Sequence, residues 1–184
     1  MIGRPENIDR FREECYGIYT SYCFSIRGIR LEAKALAKGS KGNRNRSDKT
    51  LYIGRGHPGE NPHIAEIKVS EVIKKSKENG YFEDTLSKQT LFYIYTIWDV
   101  KYRKLIAEEL SVDINKIRCD LLGDVRHLRN KLSHTQSILE QKDVDKLIVL
   151  TEHFKAGEFK LNSNFMSYFM ETLNSCAIYL HDEE

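Results

Sequence analysis

Asp124-Val-Arg-His-Leu-Arg-Asn-Lys-Leu-Ser-His134 is the stretch on which the reading of this chain turns. It sets two arginines, two histidines, an asparagine and a serine within about three helical turns. On a 3.6-residue wheel, Leu121, Val125, Leu128 and Leu132 fall on one side. Arg126, Asn130 and His134 recur at i, i+4 and i+8 on the other side, with Arg129 and Ser133 on the flank of that stripe. The leucine side belongs against a core. The other side is a strip of phosphate-friendly donors beside a titratable imidazole.

The bounds around this stretch are plain. A chain of 184 residues is expected to form one domain, 1–184, large enough to bury roughly 70% of its unfolded surface. Net charge is only +2, so no whole-protein field draws in nucleic acid and any basic site has to be local. Cys15, Cys23, Cys119 and Cys176 form no C-x-x-C pair, and three of them sit in helical patterns, where a free buried thiol is expected rather than a metal ligand or a redox couple. His57, His63, His153 and His181 are too dispersed to nominate a metal site, and His127 reads as a surface residue. The first residues lack the basic-then-apolar layout of a secretory signal, and no apolar run approaches a membrane span. A cytoplasmic protein with no membrane partner is expected.

Upstream, apolar residues from Ile8 to about Lys38 recur at helical spacing (Phe11, Cys15, Ile18, Tyr22, Ile26), which predicts a long helix stopped by Gly39. Residues 39–63 hold the densest cluster of helix breakers, with Lys41, Arg44, Arg46, Lys49 and Arg55 among them. This basic, Gly-rich insertion is either a plain surface loop or an arm that tracks an RNA backbone. Ser70 to Asn79 predicts a short helix, and Leu86 to Leu110 a helix apolar on more than one face, capped by Asp84 or Thr85. Within it, Asp99 and Arg103 are spaced for an internal ion pair. Alternatively, Asp99 orients an arginine of the motif. Asp113 or Asn115 is expected to cap the motif helix, which runs to about Thr135. In Asp145–Asn162, the runs Leu147–Thr151 and Phe159–Leu161 around a glycine favour a short β-hairpin over a helix beginning at Asp143. A final helix capped by Ser163 follows, with Phe165, Phe169, Leu173, Cys176 and Leu180 on one face. The sum is a mainly α chain, an up-and-down helical bundle with one polar insertion.

Arg129-Asn-Lys-Leu-Ser-His134, an arginine and a histidine separated by four residues with a polar residue right after the arginine, resembles the R-N-x-x-x-H signature of the HEPN superfamily. The lead-in Asp-Val-Arg-His-Leu is similar too, as is the preceding helix carrying Trp98-Asp99 with Tyr102-Arg103 close behind. The likeness spans about Thr85 to His134. It implies a helical bundle, often a homodimer, in which two copies of the motif meet across a cleft. Many members are metal-independent endoribonucleases in toxin or defence systems and need no cofactor. Others bind RNA or nucleotides without catalysis, or partner an antitoxin or a nucleotidyltransferase.

Carried over by position, Arg129 holds the scissile phosphate, Asn130 assists by hydrogen bonding, and His134 is the general acid or base. Arg126 and Lys131, with Lys41, Arg44 and Arg46 of the insertion, are the expected RNA contacts. Where HEPN toxins silenced by adenylylation carry a tyrosine, two residues past the histidine, this chain has Gln136.

The chemistry fits those residue types. Cleavage of RNA by its own 2′-OH needs proton transfer and stabilisation of charge on the phosphorane, and no metal. Histidine, with an ordinary pKa of about 6.5, moves protons near neutrality. Arginine keeps its charge and offers a planar fork to phosphate oxygens. On the residues alone, a His near a helix C-terminus is also compatible with a capping role, and the arginines with a solvated face. Beside the nuclease reading stand a non-catalytic RNA- or nucleotide-binding module and a helical interaction subunit.

Overall fold

A computed structural model describes residues 5–40, 49–54, 64–135 and 137–181; the side chains of Ser40, Ser133, His134 and Thr135 lie outside that description. The chain is mainly helical. Helix α1, Glu6–Ser40, runs for 35 residues, about 52 Å at 1.5 Å per residue, continuing through Gly39 rather than ending there. Phe11, Cys15, Tyr22 and Ile26 make its buried stripe. At its start, the Glu109 carboxylate accepts from the Glu6 and Asn7 backbone N–H groups, so a side chain from a distant helix supplies the cap.

Two antiparallel strands follow, β1 (Thr50–Ile53) and β2 (Ala65–Lys68), paired Thr50 to Lys68 and Ile53 to Ala65. Gly39 and Ser40, at the start of the expected 39–63 loop, therefore belong to α1, and Thr50–Ile53 within it form a strand. Lys41, Arg44, Arg46 and Arg55 lie outside the described residues.

Helix α2 (Val69–Lys75) leads through a tight turn to α3 (Tyr81–Ile97). Gly80, not Asp84 or Thr85, precedes the first turn of α3. A Cβ at Gly80 would stand 2.6 Å from the carbonyl oxygens of both Lys75 and Lys77, so no larger residue fits the approach. Glu83 and Asp84, freed from capping, hold distant segments instead. The buried Glu83 carboxylate accepts from Arg30 Nη2 at 2.8 Å, Asn79 N at 2.7 Å and Ser163 N at 2.9 Å, as well as from the Ser163 hydroxyl. Burial pushes this carboxyl up, but those hydrogen bonds and the Arg30 charge outweigh it and hold the group below its ordinary value. Asp84 accepts Leu161 N at 2.7 Å. Helices α1 and α3 and the segment leading into the last helix thus share one polar clamp.

The expected single helix over Leu86–Leu110 is interrupted. A π-helical turn, Trp98–Tyr102, separates α3 from α4, Arg103–Leu110. Phe11 packs against both Trp98 and Tyr102, with ring centroids 5.3 and 5.2 Å apart. The buried face contains Leu91, Ile94, Tyr95, Trp98, Tyr102 and Ile106, whereas Tyr93 and Val100 are exposed. Asp113 caps a short 3₁₀ turn, Ile114–Lys116, instead of the motif helix. After β3 (Ile117–Arg118), that helix, α5, begins at Asp120 and runs to Thr135.

Beyond α5 come β4 (Ile138–Leu139), α6 (Gln141–Val144), β5 (Gly157–Glu158) and α7 (Ser163–Ser175). The hairpin expected within 145–162 is not formed. Instead β5 pairs with β4, and Ile148–Leu150 is a bend. The cause is Asp124, whose carboxylate accepts the N–H groups of Ile148, Val149 and Leu150 at 2.7–3.1 Å. Donors consumed by a side chain are lost to a strand ladder.

Helix α7 is capped by Asn162, whose side chain accepts from Phe165 N at 2.9 Å, and it ends at Ser175. Phe165 and Phe169 reach the core as expected, but Cys176 and Leu180 lie past the helix. Leu180 sits in β6 (Tyr179–Leu180), paired with Ile117 of β3.

Candidate functional site

Helix α5 presents the two sides that its periodicity requires. Leu121, Leu122, Val125 and Leu128 are fully buried, and Asp124 is 2% exposed while it clasps the 148–150 bend. Arg126, Arg129 and Asn130 are exposed on the opposite side. The His134 backbone is helical, continuing the i, i+4, i+8 row of Arg126 and Asn130; its side chain and that of Ser133, together with Gln136, are outside the described residues.

The strip is anchored on α3. Arg129 lies over the Tyr95 ring, its guanidinium carbon 5.6 Å from the centroid. A cation held against a ring face keeps its charge while losing freedom to swing. Tyr95 itself is buried and sits in a field of several charges. Burial and the Asp99 carboxylate push its phenol up, and Arg126, Arg103 and Arg129 act in the opposite direction. Tyr95 is thus the point where the sequence-nominated Asp99, Arg126 and Arg129 come together.

Asp99 takes the local pairing. Its Oδ1 accepts from Arg103 Nη1 at 3.1 Å, and Arg103 Nη2 also donates to the Ile114 carbonyl at 3.2 Å. An effect of Asp99 on the motif arginines is therefore one of field at Tyr95. Arg103, Arg118 and Arg126 line a small cavity of about 60 Å³ at the start of α5, with Tyr95 and Gly123. Three guanidinium groups around a depression make an anion-receptive surface.

Lys131, an expected RNA contact, has a carboxylate partner within the fold. Its Nζ pairs with Asp143 Oδ2 at 2.8 Å, and Asp143 is almost wholly buried. That hydrogen bond holds the Asp143 carboxyl below its ordinary value against the opposing effect of burial, with help from Glu140 N. Lys131 pins α6 to α5. His127, which reads as a surface residue, is half-buried, and its Nε2 is enclosed without a hydrogen-bond partner among the described residues.

Tyr95, Arg103 and Arg118 are the members of this surface that sequence reasoning passed over as site residues. The apolar environment of Tyr95 disguised it as core, and Arg118 becomes a neighbour only through the short β3. Among the described residues no cluster of His, Cys, Asp or Glu has the makings of a metal site, and no helix is long and apolar enough to cross a membrane.

A separate pair of side chains lies at the N-terminal end of α5. Cys119 Sγ is 3.6 Å from Cys176 Sγ. The contact with Cys119 pulls the Cys176 thiol down, burial opposes, and the neighbouring Arg12 guanidinium adds to the lowering; Cys119 is pushed up correspondingly. Arg12 Nη2 donates to the Cys176 carbonyl at 2.9 Å, while its buried Nε has no hydrogen-bond partner among the described residues. Cys23 is exposed.

No protein-family model matches the chain, and neither does any curated protein or solved structure.

Proposed function

We propose that this chain is a metal-independent endoribonuclease of the HEPN type, cleaving RNA by attack of its 2′-OH to leave a 2′,3′-cyclic phosphate. The observation that carries the reading is the placement of Arg129: exposed on α5, laid against Tyr95, and in line with the R-N-x-x-x-H pattern that ends at His134.

Arg129 binds the scissile phosphate and offsets the charge that grows on it. Asn130 donates to a phosphate or ribose oxygen. His134 takes the proton from the 2′-OH or gives one to the departing 5′-oxygen. A homodimer brings two such sets together, so that one imidazole acts as base and the other as acid. A toxin or defence role, with an antitoxin or a nucleotidyltransferase as partner, belongs to the same proposal.

The deciding experiment is incubation of the purified protein with mixed RNA in EDTA, beside Arg129→Ala and His134→Ala. Cyclic-phosphate ends that both substitutions abolish support the nuclease; RNA left intact over hours at enzyme excess rejects it. One observation favours the alternative of a non-catalytic RNA-binding module, namely the Arg103, Arg118 and Arg126 surface, which can hold a phosphate without any imidazole. In that case RNA stays whole while its affinity falls with salt, by a slope of about 0.7 per phosphate neutralised.

A further inference from the structure

A wide cavity lies at the other end of α5. It has a volume of about 590 Å³, inside the roughly 300–1,000 Å³ range of small-ligand clefts. Its walls come from the end of α2, the start of α3, the end of α5 and the segment around β5. Four lysines line it, Lys74, Lys75, Lys88 and Lys160, against two carboxylates, Asp84 and Glu158.

The charge balance within the cleft is less even than that count. The Asp84 carboxylate is already engaged by Lys88 Nζ at 2.8 Å and by Leu161 N at 2.7 Å. Lys75 has Glu71 at 3.7 Å. Lys74 and Lys160 are exposed, and no described carboxylate pairs with either. The first turn of α3 opens into the same cleft at Gly80 and Tyr81, with no side chain capping its N–H groups. Point-charge ammonium groups beside an uncapped helix start suit phosphate oxygens.

The remaining lining suits a base. Tyr81 is 61% exposed at the cleft wall and Phe92 lies deeper, so an aromatic plane is open to stacking. Lys75 Nζ sits 5.5 Å from the Tyr81 centroid, which fixes that ring beside the cations. Asn79 and Gln89 add amide donors and acceptors of the kind that base edges need. An acidic peptide would use the lysines but leave the ring and the amides idle.

We propose that this lysine cleft is a nucleoside-phosphate site, with phosphate on Lys74 and Lys160 and the base against Tyr81. The site is independent of the role given to Arg129. Its ligand is either a free nucleotide or a nucleotide within an RNA strand, since both present the same chemistry.

The test is binding of ATP by calorimetry and of a fluorescein-labelled single-stranded RNA by anisotropy, with the full chain. The expected result is a loss of at least about tenfold in affinity for one or both probes in Lys74→Glu/Lys160→Glu, a smaller loss in Lys74→Gln/Lys160→Gln, and a loss in Tyr81→Ala that Tyr81→Phe restores. ATP that competes with the RNA marks a strand contact; ATP that binds without competing marks a free-nucleotide site. Binding that none of these substitutions changes, or no binding of either probe to the unsubstituted chain at millimolar ATP and micromolar RNA, overturns the proposal. The same titrations on Arg129→Ala separate the two readings, because the cleft must still bind there whether or not RNA cleavage occurs.

Discussion

The Asp124 carboxylate accepts the backbone N–H of Leu150 at 2.8 Å, across 26 positions of sequence, and the N–H groups of Ile148 and Val149 beside it. One buried side chain on the inner face of the motif helix therefore shapes the bend that packs beneath it. Asp124→Ala leaves three backbone donors without that acceptor. Of the three, the Leu150 N–H is the buried one, and at about 1–3 kcal/mol for a buried group left unpaired the expected loss is about 1–3 kcal/mol. Urea unfolding should show a lower midpoint at unchanged slope. A loss under about 1 kcal/mol would mean that the bend finds other partners.

The Lys131–Asp143 pair predicts an acid-side effect. The folded carboxyl titrates below its ordinary value of 3.8, so its contribution is fully present above about pH 4 and fades as pH falls through the depressed folded value. Lys131→Met should therefore destabilise the protein at neutral pH, and the difference from the unsubstituted chain should shrink below pH 4. Melting temperatures measured from pH 7 down to pH 3 check this. A constant difference across that range would assign the effect to lost packing.

Cys119 and Cys176 should close into a disulfide under mild peroxide. The Cys176 thiolate is oxidised to a sulfenic acid, with the peroxide reduced to water; the Cys119 thiol then displaces water from it to form the S–S bond. The sulfurs must close from 3.6 Å to about 2.0 Å. In a Cys23→Ser background, intact mass should fall by two hydrogen atoms, and Cys119→Ser should stop at the sulfenic acid. Alkylation of Cys176 by iodoacetamide should rise through a pKa below the ordinary 9.0, and Arg12→Met should move that rise upward. Both thiols still alkylated after peroxide would rule the pairing out.

On the nuclease reading, Tyr95 is a positioning residue for Arg129. Tyr95→Leu removes a contact worth about 0.5–2 kcal/mol, which corresponds to a drop of roughly 2- to 30-fold in kcat, with little change in KM if substrate binding is spread over the other arginines. Tyr95→Phe keeps the ring and should retain most of the rate. Equal losses in both variants, tracking their stability, would reduce Tyr95 to a core residue.

Much of this architecture was legible in the sequence where burial follows helical period. The stripe of α1, the leucine side of α5 and the Phe165/Phe169 face of α7 need only local spacing to be read. What escaped depends on partners remote in sequence. Leu147–Thr151 has the composition of a strand, and nothing within it shows that Asp124 takes its donors. Lys131 sits in the motif like any basic contact, and only the fold brings Asp143 to it. Strand β1 hides in a stretch whose glycines and charges speak for a loop. Cys119 and Cys176, 57 positions apart, carry no spacing signal at all. For the strip itself, the exposed positions of Arg126, Arg129 and Asn130 follow from period alone, whereas the approach of Arg126 and Arg129 to Tyr95 needed the packing of α3 against α5.

The π-helical turn at Trp98–Tyr102 bears on the geometry of that packing. Ile94, Trp98, Tyr102 and Ile106 are all buried, at steps of four residues. In a regular α-helix each such step overshoots a full turn by about 40°, so Ile106 would stand about 120° around the axis from Ile94. The wider turn, closed by i→i+5 bonds, takes back part of that overshoot. The segment acts as a vernier between two scales, a sequence graduated in fours and a helix graduated in 3.6. Because the correction is placed between Tyr95 and Arg103, it sets the rotation at which Arg103 reaches the arginine surface of α5. The side chains at that surface are in phase with one another because the backbone between them is locally out of phase with the α-helix.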